Sequence, residues 1–339
     1  MKATIIGYPR IGSLGEQKFS SEKYFRSEIP VEELLYAAKN IRLNNWNTQK
    51  ENGIDFIPSN DFSFYDNMLD AALLLNAVPQ RYKALKLPEL DTYFAMARGY
   101  QGEKGDVKAL AMKKWFNTNY HYIVPEIDDE TEIKLRGTKP FDEFLEAQKA
   151  GVKTKPVVIG AFTFLKLAHF TGKKSVADFI ESTAAAYCEY LSKFNALGAE
   201  WVEFDEPYLV RDLSAEDITL FTALYKKILS AKGNVRVLLQ TCFGDVRDCY
   251  NKLCSLDFDG IGLDFVEGKK SLELVKSNGF PKDKILFAGV VNGKNIWRNN
   301  YEKTLGLVAE LKKHCGEIVL NKPYVAKKIC EAVSGLLTV

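Results

Sequence analysis

The chain has 339 residues, with 46 Lys+Arg against 44 Asp+Glu for a formal net charge of +2, and is 46% hydrophobic and 27% charged. So even a balance provides no global field for nucleic acid or a membrane surface, and any anion site must be local. The length exceeds that at which one core usually stops growing, which leaves one large barrel or two domains, and no stretch is poor enough in apolar residues to be disordered.

The first apolar run, within "MKATIIGYPRIG", is broken by Gly7 and Pro9. It is too short for a signal-peptide core or a membrane span, so a cytoplasmic protein is expected. The glycine-rich turn that follows, "GYPRIGSLGEQK", contains Pro9 and lacks a dinucleotide fingerprint, which weighs against an open doubly wound sheet. Strand-like runs then recur as "IDFIPSND", "YIVPEI", "KPVVIGAFTF", "AEWVEFDEP", "RVLLQTCFGD", "GIGLDFVEG" and "ILFAGVVNG", with a weaker ninth candidate at "EIVLN". Helical periodicity follows them, as in "SVADFIESTAAAYCEYLSKFNALGA". Near-continuous apolar strands suit a parallel sheet covered by helices. Repeated βα units over this length predict a single α/β domain spanning 1–339, a (β/α)8 barrel, with one of the nine candidates outside it. The stretches "GEKGDVKALAMKK" and "EIDDETEIKLRGTK" read as loops inserted around "YIVPEI", taken as the third strand.

In such a barrel the loops after the strands build the active face. The residues there are Pro9, Arg10, Ser59, Asn60, Asp61, Glu126, Asp205, Glu206, Asp264 and Asn292. Glu126 and Glu206 could act as the acid and nucleophile or base of a glycosidase, although rim carboxylates bonded to backbone amides are the favoured reading. The segment "KKWFNTNYHYIVPEID" places Lys113 and Lys114 beside Trp115, Phe116 and Tyr120, and Lys18 follows the first turn. Ammonium groups pair with carboxylate or phosphate, and nearby rings can flank a flat ligand. His121 alternates with Tyr120 and Tyr122 as a strand residue would and reads as structural. Six irregularly spaced cysteines and three unclustered histidines argue for reduced thiols and against a metal site in this chain.

The segments "IGYPRIG", "GIDFIPSNDFSFYDNML", "KKWFNTNYHYIVPE", "KPVVIGAFTFL", "WVEFDEPYLV" and "AGVVNGKNIWRNN" together resemble the N-terminal domain of cobalamin-independent methionine synthases. The resemblance implies a TIM-type barrel of the cobalamin-independent methionine synthase and uroporphyrinogen decarboxylase-like kind. It also implies a methyltransferase in which 5-methyltetrahydropteroyltri-L-glutamate gives its methyl group to L-homocysteine. In that family zinc, the homocysteine site and most folate contacts belong to a C-terminal catalytic barrel, absent from this chain, and no cobalamin is used. By that resemblance Gly15, Glu16, Gln17, Lys18 and Lys114 contact the folate's polyglutamate tail. This chain alone is expected to be inactive, with no catalytic residue of its own. Its expected partners are the folate polyglutamate and the catalytic barrel, in cis or in trans, with a stand-alone folylpolyglutamate-binding protein as the alternative.

The sequence departs from the family's N-terminal pattern in two places, and one of its strands lacks the zinc ligands that its counterpart in the catalytic barrel carries. Gly15-Glu16-Gln17-Lys18 stands where the family usually reads Arg-Glu-Leu-Lys, so a guanidinium able to grip a carboxylate bidentately is missing. "LLQTCFGD", on the strand whose counterpart in the catalytic barrel supplies His-x-Cys zinc ligands, has no histidine. After "EIVL" the family continues into a Ser/Cys-rich stretch with Leu-Leu-His, whereas here a helix is expected almost at once.

Overall fold

The computed structural model describes residues 1–323 except Ile296. The helix expected after "EIVLN", together with Cys330 and the end of the predicted 1–339 domain, lies outside the described residues. Eight parallel strands form the centre: β1 Lys2–Ile5, β2 Ile57–Ser59, β3 Thr154–Ile159, β4 Trp201–Asp205, β5 Arg236–Gln240, β6 Gly260–Asp264, β7 Ile285–Gly289 and β8 Glu317–Lys322. Each pairs with its sequence neighbours, and β8 returns to β1 in the register Lys2–Val319 to Ile5–Lys322. A single parallel bridge, Thr4 to Phe56, joins β1 to the β2 edge and brings the sheet round to a nearly closed barrel.

The weak candidate "EIVLN" is therefore a barrel strand, and "YIVPEI" is the one outside. His121–Ile123 pairs antiparallel with Met112–Lys114, while Glu126–Ile127 pairs with His169–Phe170 away from the eight-stranded sheet. Part of the stretch read as an irregular loop is ordered: Tyr100–Gly102 and Gly105–Val107 form a second hairpin. Both hairpins and Glu126–Ile127 belong to one long excursion between β2 and β3, whereas His169–Phe170 follows β3.

The helices form where their apolar spacing predicts. Ala215–Leu229 buries Phe221, Leu224, Tyr225, Ile228 and Leu229, the three- and four-residue spacing of one helical face. Its start is fixed by a capping box between Ser214 and Asp217. Ile180–Ala196 packs beside it, and Tyr187 donates from its hydroxyl to the Ile159 carbonyl at 2.5 Å, tying helix to strand.

Alternation along the strands sends one set of side chains outward to the helices and the other inward. On β4, Phe204 meets Tyr187 and Tyr225, whereas Trp201 joins Leu238, Phe287 and Val319 in a separate apolar floor inside the barrel. Phe56, Trp201 and Phe287 meet there edge to face at centroid distances of 5.6–5.9 Å.

Above the floor the interior is polar. Lys155 forms a buried ion pair with Glu203 and donates to the Ile5 carbonyl at 3.3 Å, and Asn321 donates to Gln240 at 2.7 Å. Gly262 makes room for this layer: a Cβ there would lie 1.9 Å from the Gln240 Oε1.

Candidate substrate-facing site at the barrel mouth

Most carboxylates at the strand ends are bonded to the loops that carry them. Asp61 accepts from the Tyr8 backbone N–H at 2.7 Å, linking the loops after β1 and β2, and burial pushes its carboxyl up to about 7 against that bond. Arg10 donates to the carbonyl of Ser63 at 3.1 Å. Asp264 accepts from the N–H groups of Phe243, Val266 and Glu267 at 2.8–2.9 Å, and burial holds its carboxyl above the ordinary range.

Glu206 is fully buried. Its Oε1 accepts from the Phe162 N–H at 2.8 Å and from the Tyr225 hydroxyl, and its Oε2 accepts from the Thr163 N–H at 2.7 Å and hydroxyl at 2.5 Å. The Glu206 carboxylate thereby caps the open N–H groups of Phe162 and Thr163 in the first turn of the helix Ala161–Leu167. Glu126, on its short strand outside the barrel, is ion-paired with Arg81 at 2.6 Å. The glycosidase reading fails on this geometry, because Glu206 has no acceptor site left for a sugar or a water, and Glu126 is not on a barrel strand.

Deeper in the barrel, burial and then the neighbouring Glu203 charge hold the Asp205 carboxyl well above its ordinary value. Asp205 and Glu203 sit beside the Lys155 ammonium, so the group is one ionic cluster under the mouth. Nothing in the sequence distinguishes these from rim residues except their alternation on β4.

The hairpin carrying "KKWFNTNYHY" closes over this mouth. Its strands are in the register Met112–Ile123, Lys113–Tyr122 and Lys114–His121. At its base the Ile123 N–H donates to Asp66 at 2.9 Å, and the same carboxylate caps the helix Asn67–Leu74 through the Leu69 N–H. Burial pushes Asp66 up to about 7 despite those donors.

At its tip Phe116 takes a left-handed φ of 49° and stacks on Phe243, itself at 75°, with centroids 5.2 Å apart and planes 21° from parallel. The Arg211 guanidinium lies 5.0 Å from the Phe116 ring. Asn117 donates to Glu267 at 3.1 Å and accepts from Lys294 at 2.5 Å, and Lys294 also pairs with Glu267 at 2.8 Å. One short tip thus touches the loops after β4, β5, β6 and β7. Sequence reading saw only that these rings can flank a ligand and missed this clasp, since its partners lie far along the chain.

The five residues taken for the tail site fall on two excursions from the rim. Gly15, at φ 82°, precedes the helix Glu16–Phe25. Glu16 folds back to accept from the Leu14 N–H at 2.9 Å and the Ser13 hydroxyl at 3.2 Å, and backbone N–H groups hold its carboxyl below the ordinary range. Gln17 donates to the Phe64 carbonyl at 2.8 Å. Lys18 is exposed, with only a loose contact of 3.9 Å to Glu22. Lys114 is exposed on the hairpin strand and has no ion-pair partner among the described residues. Exposed apolar side chains accompany both lysines, Leu14 and Phe19 beside Lys18 in the chain and Met112 and Tyr120 near Lys114.

No group of three or more His, Cys, Asp or Glu side chains among the described residues is arranged to hold a metal ion. The described residues therefore do not fit the zinc of the resemblance. Among the described residues no helix is long and apolar enough to cross a membrane.

Comparison with known proteins agrees with the architecture. The family model "Cobalamin-independent synthase, N-terminal domain" matches residues 2–316. The 5-methyltetrahydropteroyltriglutamate–homocysteine methyltransferases of Streptococcus sanguinis (strain SK36) and Streptococcus gordonii are 60% and 59% identical over 311 residues. These matches cover 92% of this chain but only 41% of each relative, so the chain spans about two-fifths of the curated relatives' length. Among solved structures, a putative vitamin-B12-independent methionine synthase from Listeria monocytogenes superposes with TM-score 0.70 at 14% identity, covering 100% of this chain and 96% of that one. A B12-independent methionine synthase from Shewanella sp. W3-18-1 in complex with selenomethionine gives 0.67, also at 14% identity, over 91% of this chain and 88% of that one. At that identity the two structures establish the fold alone.

Proposed function

We propose, from the premise that this chain belongs to the cobalamin-independent methionine synthase family as its N-terminal domain, that it holds the polyglutamate tail of the methyl donor for a methyltransferase. The reaction is transfer of the methyl group of 5-methyltetrahydropteroyltri-L-glutamate to L-homocysteine, giving methionine. A C-terminal barrel, in cis or in trans, would carry the zinc that makes the homocysteine thiol a thiolate, and this domain by itself would not turn over. We read residues 1–339 as one barrel domain of that enzyme, acting in the cytoplasm.

The observation that supports the tail role is the pair of exposed ammonium groups, Lys18 and Lys114, on two rim excursions flanked by exposed apolar side chains. A tail with several carboxylates gains from such groups, while the pteridine and its reacting methyl are left to the second barrel. Each exposed charge contact contributes about 1 kcal/mol or less, so the two together are worth at most roughly thirtyfold in affinity. Gln17 and Glu16, already bonded within the chain, would shape the turn that presents Lys18.

The test is calorimetric titration of this chain with methyl-tetrahydrofolate bearing one or three glutamates, for the native sequence and for Lys18→Ala with Lys114→Ala. The reading requires the triglutamate to bind more tightly, and that advantage to fall severalfold, up to roughly thirtyfold, in the double variant and to weaken with salt. Equal binding of the two ligands, or an unchanged triglutamate advantage in the double variant, would refute it.

A further inference from the structure

The hairpin over the mouth is held in a backbone shape that its own residues disfavour. Phe116 at the tip and Phe243 in the loop after β5 both take left-handed conformations, at φ 49° and 75°. Such a conformation is unfavourable for a bulky side chain and persists only where surrounding contacts over-determine it, which happens most often at functional sites.

Those contacts converge on the tip. The two rings stack on one another, with the Arg211 guanidinium 5.0 Å from the Phe116 centroid and the Lys294 ammonium 4.9 Å from that of Phe243. Asn117 is bonded in both directions: its amide donates to the Glu267 Oε2 at 3.1 Å, and its oxygen accepts from Lys294 at 2.5 Å. Lys294 closes the triangle on both Glu267 oxygens at 2.8 Å. The side chains of this pair are only 24% and 28% exposed, so salt screens it less than a surface pair.

The strand behind the tip has little else to hold it. An isolated two-stranded hairpin is marginal in water, and all three residues of Met112–Lys114 are exposed. Its anchors are at the two ends, Asp66 at the base and the clasp at the tip. Between them lies Lys114, opposite His121 and two residues from Phe116. An exposed ammonium offers a carboxylate little unless its backbone is already in place, because ordering a loop on binding subtracts from the contact.

We propose that Asn117, together with the Phe116–Phe243 stack, is a positioning element for the polyglutamate tail: by clasping the tip to Glu267 and Lys294 it holds the hairpin strand so that the Lys114 ammonium is presented to the tail's carboxylates. The positioning role rests on the tail reading, since Asn117 acts only through Lys114.

The experiment is calorimetric titration of the full chain with methyl-tetrahydrofolate bearing one or three glutamates, for the native sequence, Lys114→Ala, Asn117→Ala and the two combined. Asn117→Ala is expected to lower the preference for the triglutamate by about two- to fivefold, and by no more than Lys114→Ala does, because a positioning residue cannot remove more than the contact it positions. In the Lys114→Ala background it is expected to have no further effect. Phe116→Gly suits the left-handed turn but removes the ring stack, so it should lower the preference in the same way with little change in the thermal midpoint. By linkage, the triglutamate but not the monoglutamate should slow hydrogen exchange of the Trp115 and Thr118 amides, whose bonds to the Tyr120 and Trp115 carbonyls shape the tip.

Independent, additive losses from Lys114→Ala and Asn117→Ala, a native preference in Asn117→Ala, tip amides that exchange alike with either ligand, or a preference carried by Lys18 alone would overturn the positioning role and leave the tail reading standing. No triglutamate preference in the native chain, or one that survives Lys18→Ala with Lys114→Ala, would overturn both.

Discussion

Replacing Glu206 by alanine decides whether this carboxylate is a cap or a catalytic group. The native side chain satisfies the backbone N–H groups of Phe162 and Thr163 and the hydroxyls of Thr163 and Tyr225, all buried. Alanine orphans two backbone donors that have no water to turn to. At about 1–3 kcal/mol for each buried unsatisfied group, the loss is roughly 4 kcal/mol, a large part of the 5–15 kcal/mol that typically holds a domain together.

The pH dependence gives a second readout. Burial pushes the Glu206 carboxyl up to about 7 from its ordinary 4.5, with the four donors opposing. The folded chain therefore holds a proton that the unfolded chain has released between those values. Stability is full below about 4.5 and falls as pH rises toward 7, by about 3 kcal/mol at 1.36 kcal/mol per unit. Glu206→Gln keeps an acceptor oxygen and has an amide able to donate to the Tyr225 oxygen, so it should recover more than half of the alanine loss and flatten that slope. Urea unfolding at pH 6 and across the window measures both quantities, provided the m-value is unchanged. A loss below about 1 kcal/mol for Glu206→Ala, or unaltered stability with lost activity in an assembled enzyme, would refute the capping argument.

Lys155→Ala should cost about 3–5 kcal/mol by leaving Glu203 charged and unpaired in the barrel interior, whereas Lys155→Met with Glu203→Leu should cost less than the single change; denaturant unfolding of both compares them. Gly262→Ala should destabilise by about 1–3 kcal/mol, because its Cβ would strike the Gln240 Oε1 and break the bond to Asn321; the thermal midpoint reports it. Asn117→Ala should leave global stability within about 1 kcal/mol, yet speed hydrogen exchange of the amides of Trp115 and Thr118, because it frees the hairpin tip from Glu267 and Lys294. The triglutamate titration with the Lys18 and Lys114 variants completes the set.

Local patterning determined much of this protein. Strand runs of near-continuous apolar residues, and helices such as Ala215–Leu229 with one buried face and a Ser214 cap, can be read without knowing their neighbours. The eight-unit barrel follows from their repetition, and the long, idiosyncratic segments that carry the family resemblance are likewise properties of the chain alone.

Tertiary structure decided what depended on distant partners. "YIVPEI" and "EIVLN" both read as short apolar strands, and a run of that length looks the same whether it pairs inside a barrel or beneath an excursion. The pairing of His121–Ile123 with Met112–Lys114, and of Glu317–Lys322 with β1 and β7, made the choice. The same holds at the mouth. Sequence placed Glu206 at a strand end but could not supply its donors, which come from Phe162, Thr163 and Tyr225, and it could not see that the aromatic hairpin grips four loops. Periodicity records which face of an element is buried. Which group meets which across the core is fixed only when the chain closes on itself, because hydrogen bonds and ion pairs act over a few ångströms of space, whatever the separation in sequence.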